Sequence, residues 1–577
     1  MTAAGCGAGP SPGRAPRCLK FPCNRCAPAG PIALEWRHAP DPCPLTRLPP
    51  DRNRWATLIL LLGLGPLAAS LAGCQPHHPP QRLVVASKNR IDSIDPAAAY
   101  SVGALQVLSG LGDTLYRIDA KGVLHPSLAV GWPQLSADGL RARVTLRRDV
   151  QFHDGTPFTA AAMAFSLERF LAIGKLSYLL GDRVASVRAV EPHTLELTLK
   201  RPYSPLAQLL SAINLTPVSP RAYRQHSRRF LNERFVGTGP YTLRFFNPQK
   251  QRLEPFAGYW GPPPANGGID LVGLSNSTAL FGALSSGEVD VLLSTSLEID
   301  QQAALQRRAQ RGELRSGSGP ALEIGYLTLL TDQPPLADPS LRRAVALSLD
   351  RHTISARVTL QQRPPLRNLV PPNLPGADPT AWPDYNPQEA RRLYRQAGYC
   401  QGRRLTLPLT FRSNIPADRL FALTWQAQLR RDLGDCVQLE VTGMEATTAY
   451  RQLGDGTFPL ILLEWMGDFP DADNYLVPLL GCDRQRGSRC LKGASAASGS
   501  FWAAPGLQQQ LSRSASLSGE PRRALLRQIQ QRTAAANPYL PVWLVAPRAW
   551  AQRSLRAPSF DGSGRLVLQA LQRSPQP

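Results

Sequence analysis

Three short segments of the sequence hold side chains whose types and spacing could do chemistry. Residues 152–157 read FHDGTP, residues 411–416 read FRSNIP, and residues 465–471 read WMGDFPD. The first places His153 beside Asp154, as an acid–base pair would, but Gly and Pro in the same string indicate a strand-to-helix turn. Turn chemistry explains this string without catalysis.

The rest of the chain offers little for an enzyme. There is no HExxH, no GxSxG and no phosphate-loop lysine, so common hydrolase and nucleotide chemistries lack their residues. We therefore expect a protein that is not an enzyme and that needs no cofactor and no metal.

The other two segments suit ligand binding at strand ends. Asp468 follows the apolar run 459–464, and Arg412 follows the apolar run 405–411. In α/β proteins, ligands bind where strands end at a cleft. An arginine can hold a carboxylate through two parallel hydrogen bonds, and Trp465 could form a pocket wall. The alternatives are a turn-capping Asp468, a solvated surface Arg412 and a core Trp465.

The elements that position these residues mix strands and helices. Residues 83–87 form a buried-strand run, residues 140–146 and 193–199 alternate as strands, and Thr159 is typical of a helix N-cap. Amphipathic helices are predicted over 340–350 and 386–398. Strict βαβ repetition is missing, so we expect α/β lobes with mixed sheets, and the 577 residues require two or three domains.

Composition argues against a nucleic-acid partner. The formal net charge is +23, but the arginines are scattered singly or in pairs rather than in a basic stripe with interleaved aromatics. The 55 prolines indicate many fixed turns and extended connections.

The beginning of the chain carries an export signal. Arg52 and Arg54 precede the apolar stretch 55–69, and Leu-Ala-Gly-Cys at 71–74 resembles the lipobox of bacterial lipoproteins. We expect residues 51–73 to be a lipoprotein signal peptide, Cys74 to be lipidated and 74–81 to be a tether. Residues 1–50 are expected to be a mis-called or disordered extension. The alternative is a soluble signal peptide followed by a chance cysteine.

Cysteine spacing agrees with an oxidising compartment. Beyond Cys74 the chain has Cys400, Cys436, Cys482 and Cys490. We expect the disulfides Cys400–Cys436 and Cys482–Cys490, although the sequence permits three pairings and free buried thiols remain the alternative.

Taken in order, many segments resemble family 5 of the bacterial extracellular solute-binding proteins, the peptide- and nickel-binding components of ABC importers. The match extends over nearly all of the chain that follows the signal. The matching residues are Leu115-Tyr116, 126–129 (PSLA), Trp132, 146–155 (LRRDVQFHDG), 237–241 (GTGPY), 258–260 (GYW), 286–290 (SGEVD), 341–344 (LRRA), 386–387 (NP), 390–393 (ARRL), 397–399 (AGY), 467–471 (GDFPD), Asp473 and Asn474.

This resemblance implies a two-lobed periplasmic-binding-protein fold with hinge-linked lobes around a ligand cleft and an extra subdomain. The expected first lobe is discontinuous, with residues 82–120, 237–320 and 543–577. The expected subdomain, 121–236, packs on that lobe, and 321–542 form the second lobe.

The resemblance also implies a function. It predicts an extracytoplasmic, lipid-anchored monomer that captures di- or oligopeptides by lobe closure and hands them to ABC importer permease subunits. In peptide-binding relatives, the position of Asp468 holds the ligand's α-ammonium group and that of Arg412 the carboxylate. The alternatives are a binding protein for a nickel chelate or another non-peptide solute, and a surface lipoprotein for signalling or adhesion. Leu330 and the arginines and prolines of 362–367 depart from the family pattern near the cleft.

Overall fold

The computed structural model describes residues 82–88, 91, 93–294 and 297–574. The predicted extension, signal peptide, lipidated Cys74 and tether lie outside the described residues.

The described strands are, in chain order, β1 (Leu83–Ser87), β2 (Tyr116–Ile118), β3 (Leu124–Pro126), β4 (Gln134–Leu135), β5 (Arg141–Thr145), β6 (Val184–Glu191), β7 (Thr194–Leu199), β8 (Tyr241–Asn247), β9 (Lys250–Pro255), β10 (Ile269–Gly273), β11 (Val291–Leu293), β12 (Leu314–Ser318), β13 (Glu323–Leu329), β14 (Leu405–Arg412), β15 (Val437–Met444), β16 (Leu460–Met466), β17 (Arg484–Arg486), β18 (Arg489–Lys492), β19 (Tyr539–Val545) and β20 (Arg548–Gln552).

The described α-helices are α1 (Val102–Leu111), α2 (Ala160–Ile173), α3 (Tyr178–Gly181), α4 (Leu206–Leu209), α5 (Pro220–Tyr223), α6 (Ser277–Ser286), α7 (Ile299–Gln310), α8 (Pro339–Leu347), α9 (Arg351–Val358), α10 (Pro387–Gln396), α11 (Pro416–Leu433), α12 (Ala446–Gln452), α13 (Asp473–Leu480), α14 (Ala494–Ala497), α15 (Leu507–Ser516) and α16 (Gly519–Ala536). Short 3₁₀ helices cover Ile213–Leu215, Arg224–His226, Leu453–Asp455 and Leu568–Ala570.

Lobe I is built on a seven-stranded mixed sheet in the order β12-β20-β11-β1-β10-β9-β8. Strand β1 pairs parallel to both β10 and β11, and the outer strands are antiparallel. Its LVVAS sequence is buried on both faces, as expected of a central strand. The three parallel strands therefore end at one edge of this sheet.

Lobe II is built on a five-stranded mixed sheet in the order β15-β14-β16-β13-β19. Strands β15 and β16 lie parallel to β14, while β13 runs antiparallel to both β16 and β19. Its core is the largest of the hydrophobic clusters and includes the fully buried Trp382, Trp425 and Trp543.

The chain crosses between the lobes twice. Strand β12 of lobe I leads into β13 of lobe II, and β19 leads back into β20. Two crossing segments therefore join the two sheets, which is the architecture of a hinge. The second crossing begins only after β19 ends at Val545. The boundary expected between 542 and 543 would cut through this strand.

The subdomain carries a four-stranded antiparallel sheet in the order β4-β5-β7-β6. Helix α2 packs on this sheet and begins at the predicted N-cap, where the Thr159 side chain accepts a hydrogen bond from the Ala162 amide. The FHDGTP string before it is scaffold: Gly155 has a φ of +78°, and the His153 ring lies 3.0 Å from the Gly239 carbonyl oxygen. The hairpin of β2 and β3 spans the boundary expected at residue 120.

The subdomain contacts both lobes rather than lobe I alone. On the lobe I side, the Arg169 guanidinium donates to both carboxylate oxygens of Asp95 at 2.8 and 2.6 Å. On the lobe II side, Phe469 and Ala515 pack within the hydrophobic cluster of the subdomain. The subdomain is therefore a third body that touches the loop after β16.

The four described cysteines lie in two pairs. The sulfur atoms are 2.07 Å apart in Cys400 and Cys436 and 2.06 Å apart in Cys482 and Cys490. Each pair ties together segments of lobe II.

Within the described ranges, no helix has both the length and the apolar character needed to cross a bilayer.

We predict that the pair of Arg169 and Asp95 holds the subdomain to lobe I. Arg169→Met should lower the free energy of unfolding by about 3–5 kcal/mol, because it leaves the fully buried Asp95 carboxylate without its cation. Denaturant-induced unfolding measures this change. Arg143→Met is the matched control, since it removes a mostly exposed arginine of the subdomain, and an equal effect of the two substitutions would contradict the prediction.

Candidate functional site

The cleft lies between two sheet edges that face each other. On lobe I, the edge holds the carboxyl ends of β1, β10 and β11 and the first residue of β20. On lobe II, it holds the ends of β14, β16 and β19 and the start of β13. The lobes approach closely here at Gly564 of lobe I and Met466 of lobe II. If Gly564 carried a Cβ atom, that atom would lie 3.7 Å from Cε of Met466.

Asp468 lies at this edge, in the loop that follows β16. The side-chain amide of Asn474, with its oxygen toward the loop, accepts hydrogen bonds from the Asp468 amide at 2.7 Å and from the Phe469 amide at 2.9 Å. Trp465 braces the same loop by donating its indole N–H to the Asn474 carbonyl oxygen at 2.8 Å. The loop backbone is therefore fixed in a way that holds the Asp468 carboxylate in place.

Asp468 is half-buried, and its carboxylate is incompletely satisfied. Its Oδ2 atom has no hydrogen-bond partner among the described residues. Burial raises the pKa of Asp468 to about 6, against the lowering effect of the positive charges of Arg565 and Arg183. An acceptor oxygen withdrawn from water without a donor is costly, so this position is suited to a donor brought by a ligand.

Groups from all three bodies surround Asp468. The positive charges of Arg565 in lobe I and Arg183 in the subdomain lower the pKa of Asp468. Burial raises the pKa of Tyr178 in the subdomain, and the negative charge of Asp468 raises it further. Neither arginine is within ion-pair distance, because Arg183 pairs with Asp473 instead. The site is thus complete only when the three bodies are assembled.

The rest of the loop is anchored firmly to its surroundings. Phe469 is 1% exposed within the subdomain core. Asp471 accepts two hydrogen bonds from Arg522 at 2.9 and 2.6 Å. Asp473 accepts from Arg183 at 2.8 Å and from the Tyr203 hydroxyl at 2.9 Å. Of the three aspartates in this segment, Asp468 alone has no cationic partner in ion-pair contact within the described part of the chain.

Arg412 has a different environment from the one expected. Its guanidinium is 4% exposed and donates to both oxygens of Asp418, at 2.7 and 3.0 Å, and to Glu464 at 2.9 Å. The remaining donor group reaches the Tyr450 hydroxyl at 3.1 Å. Arg412 is therefore not a solvated surface arginine, and it could bind a ligand carboxylate only by releasing a carboxylate of its own chain. Its role as a carboxylate-binding residue stays a prediction.

Arg412 belongs to a buried charge cluster beneath the cleft edge of lobe II. Arg363 also donates to Glu464. Burial alone would raise the pKa of Glu464, but the two guanidinium groups hold it well below its usual range. Glu323, at the start of β13, has its pKa raised to about 7 by burial and by the negative charge of Glu464. The ion pairs of Arg412 tie β14 to β16 through Glu464 and to α11 through Asp418, at the end of the sheet that faces lobe I.

Trp465 is half-buried and packs against the core of lobe II. Its observed contact is with the backbone of the Asp468 loop, and a role as a pocket wall stays a prediction.

A cavity of about 650 Å³ opens where the three bodies meet. It is lined by residues of lobe I, the subdomain and lobe II, among them Lys121, Gln208, Leu322, Asn373, Asp471 and Arg522. Such a volume is in the range of small-molecule sites in proteins.

Sequence reasoning missed the cleft residues Glu323, Glu464, Arg548 and Arg565, and it noted Arg363 only as one of the arginines of 362–367. Two of them could have been found, since Glu323 and Arg548 begin the strands that follow the two crossings. The others had no distinguishing signal in a chain so rich in arginine.

The described residues contain one group of side chains close enough to share a metal ion, Cys400, Asp435 and Cys436. Its two sulfur atoms are joined in a disulfide, so they are not the thiolates that a metal would need.

Two α/β lobes joined by two crossing segments thus face each other across a cleft that holds a carboxylate, an arrangement suited to closing over a bound solute. Residues 123–487, more than half of the chain, match the bacterial extracellular solute-binding proteins, family 5 Middle. The chain belongs to this family, whose members act outside the cytoplasm.

Similar proteins include the glutathione-binding protein GsiB of Escherichia coli O1:K1, which is 29% identical over 391 residues that cover 67% of this chain and 73% of GsiB. Among solved structures, NikA from Brucella suis in complex with Fe(III)-EDTA has a TM-score of 0.75 at 23% identity and covers 85% of this chain and 100% of that one. A dipeptide-binding protein from Pseudoalteromonas sp. SM9913 in complex with Met-Leu has a TM-score of 0.71 at 21% identity, covering 86% and 100%. The two structures establish the shared fold.

We predict that Arg412 stabilises lobe II. Arg412→Gln should lower the free energy of unfolding by about 3–5 kcal/mol with no ligand present, because Asp418 and Glu464 lose their shared cation. Denaturant-induced unfolding is the measurement, and Arg419→Gln, at an exposed site on the same lobe, is the control. Unchanged stability together with lost ligand binding would return Arg412 to the role of a carboxylate clamp.

Proposed function

We propose that this protein is the extracytoplasmic substrate-binding component of an ABC importer and that it captures short peptides in the cleft between its lobes. Membership of the solute-binding family supports this role. GsiB is named for binding glutathione, and the Pseudoalteromonas structure contains the dipeptide Met-Leu. Both ligands are short peptides with an ammonium group.

The observation that carries the proposal is the incompletely satisfied carboxylate of Asp468. A peptide's α-ammonium group has three hydrogen-bond donors and a positive charge. The Oδ2 atom of Asp468 has no hydrogen-bond donor beside it among the described residues, so the ammonium group would supply the missing partner. In a closed cleft, a charge without a partner costs several kcal/mol, so the ammonium and Asp468 would stabilise one another. A neutral solute could donate a hydrogen bond but would bring no charge to pair with the carboxylate.

Binding of this kind is coupled to lobe closure. A ligand held at Asp468 on lobe II can also contact lobe I, because the sheet edges face each other across the cleft. Such a ligand binds the closed arrangement of the lobes more tightly than the open one, so it shifts the equilibrium toward the closed arrangement. No covalent bond is made or broken, so we propose that the protein is not an enzyme.

The remaining parts of the proposal concern delivery. We propose that Cys74 carries the lipid that holds the protein at the membrane, that 74–81 form the tether, and that the closed monomer docks on the permease subunits. The basic export segment and the Leu-Ala-Gly-Cys string support this arrangement.

We predict that Asp468→Asn weakens peptide binding about tenfold or more, because the ammonium group loses its buried counter-charge. Isothermal calorimetry with Met-Leu and with glutathione measures the affinity. Asp483→Asn is the matched control, since Asp483 is exposed on the same lobe. Equal affinities for the wild type and Asp468→Asn would contradict the assignment. Stabilisation by metal chelates without any by peptides would favour a NikA-like ligand.

Peptide binding should also depend on pH through Asp468. The pKa of this carboxyl group is raised to about 6 by burial, and only the ionised form pairs with an ammonium group. Affinity should therefore fall as the pH falls through 6, by about tenfold between pH 7 and pH 5. A peptide carboxylate stays ionised over this range.

The variant Asp468→Asn separates this titration from that of Glu323, whose pKa is about 7. Calorimetry across pH 5–8 should show the fall in affinity at acid pH only in the wild type. The same fall in the variant would assign the titration to another group.

A further inference from the structure

A small pocket of about 40 Å³ lies at the cleft edge of lobe I. It is formed where β1, β10 and β11 end, and its lining includes Ser87, Gly273 and Leu293 from those ends together with Arg548. Its size admits one small polar group rather than a whole peptide residue.

Of the described residues that line this pocket, Arg548 is the single charged one. Gln106 and Gln251, the amides of the lining, use their side chains on backbone carbonyl groups, of Leu566 at 2.9 Å and of Asn247 at 2.6 Å. They therefore do not neutralise the arginine.

The Arg548 guanidinium has no carboxylate within ion-pair distance among the described residues. Burial lowers its pKa, and no acidic group in the described part of the chain offsets that effect. This sets it apart from the half-buried Arg363, which pairs with Glu464 in lobe II. A half-buried cation without an anion is costly in a closed cleft.

The pocket lies opposite the Asp468 side of the cleft. Gly564 lines it, and the same residue approaches Met466, two residues before Asp468. The next residue, Arg565, is close enough for its charge to act on Asp468. Arg548 of lobe I and Asp468 of lobe II, neither of which has an ion-pair partner among the described residues, are thus both placed at the space between the lobes.

We propose that the Arg548 pocket is the subsite for the ligand's carboxylate group, so that a peptide with a free carboxyl end bridges the lobes through its two opposite charges. This inference rests on the proposed function. Each lobe then supplies one counter-charge: Asp468 for the ammonium end and Arg548 for the carboxylate end. An arginine fork matches a carboxylate in geometry as well as charge. The protein should accordingly reject peptides with a blocked carboxyl terminus.

The experiment compares free-acid and carboxamide forms of one peptide on two proteins. Met-Leu, Ala-Ala and glutathione are first titrated by calorimetry, and the tightest binder is taken with its carboxyl-terminal amide. In the wild type, amidation should weaken binding about tenfold or more, because it removes the charge that pairs with Arg548. In Arg548→Gln, the free acid should lose a similar factor and amidation should cost little.

Arg556→Gln, an exposed arginine on the same lobe, should bind like the wild type. Arg548→Lys keeps the charge but loses the fork and should show an intermediate loss. Unchanged melting temperatures confirm that the variants are folded. Should Arg548→Gln fail to fold, the loss in Arg548→Lys decides the question.

The two possible failures differ. If none of the three peptides binds the wild type, the proposed function is wrong and this inference fails with it. If peptides bind but the free acid binds Arg548→Gln as tightly as the wild type, or the penalty for amidation persists in the variant, only the Arg548 subsite is wrong.

Discussion

The structure depends on one constraint, that a charge withdrawn from water needs either a partner of opposite sign or a set of hydrogen bonds. Every body of this protein contains a buried ion pair that meets it: Asp95 with Arg169, Asp473 with Arg183, and Asp418 with Arg412. The first two pairs join the subdomain to lobe I and to lobe II, and the third joins β14 to α11 within lobe II. Asp468 and Arg548 do not meet this constraint within the described part of the chain, and both lie at the cleft.

The loop after β16 shows how the fold maintains such an exception. The anchors on both sides of Asp468 are satisfied: Trp465 and Asn474 hold the backbone, and Asp471 and Asp473 are paired with arginines. Because these contacts fix the loop, the Asp468 side chain cannot easily turn to water. Rigid support of this kind preserves a site whose polar group is left unpaired when no ligand is bound.

The subdomain contributes directly to the site and is more than an addition packed on lobe I. It contributes Arg183 and Tyr203 to the Asp473 anchor and a hydrophobic pocket to Phe469. Any hinge motion that separates lobe II from the other bodies must expose Phe469 and break this anchor. The closed arrangement is therefore stabilised by contacts of the chain itself as well as by those of a ligand.

The sequence by itself determined the local elements and the family. A continuous apolar run indicated β1, the Thr159 cap indicated the start of α2, and the ordered short motifs pointed to the two-lobed fold. It also indicated Asp468, because an acidic residue directly after a buried strand lies where α/β proteins bind their ligands. These features depend on residues that are close together in the chain, so the sequence alone is enough to predict them.

Only the tertiary structure decided which arginine is free. Arg412 and Arg548 each lie at one end of a strand. The residues next to them in the sequence do not show which of the two has an ion-pair partner. The partners of Arg412 are 6, 38 and 52 residues away, at Asp418, Tyr450 and Glu464. Whether a charge is already neutralised depends on side chains brought together by folding, and the spacing of residues along the chain does not contain that information.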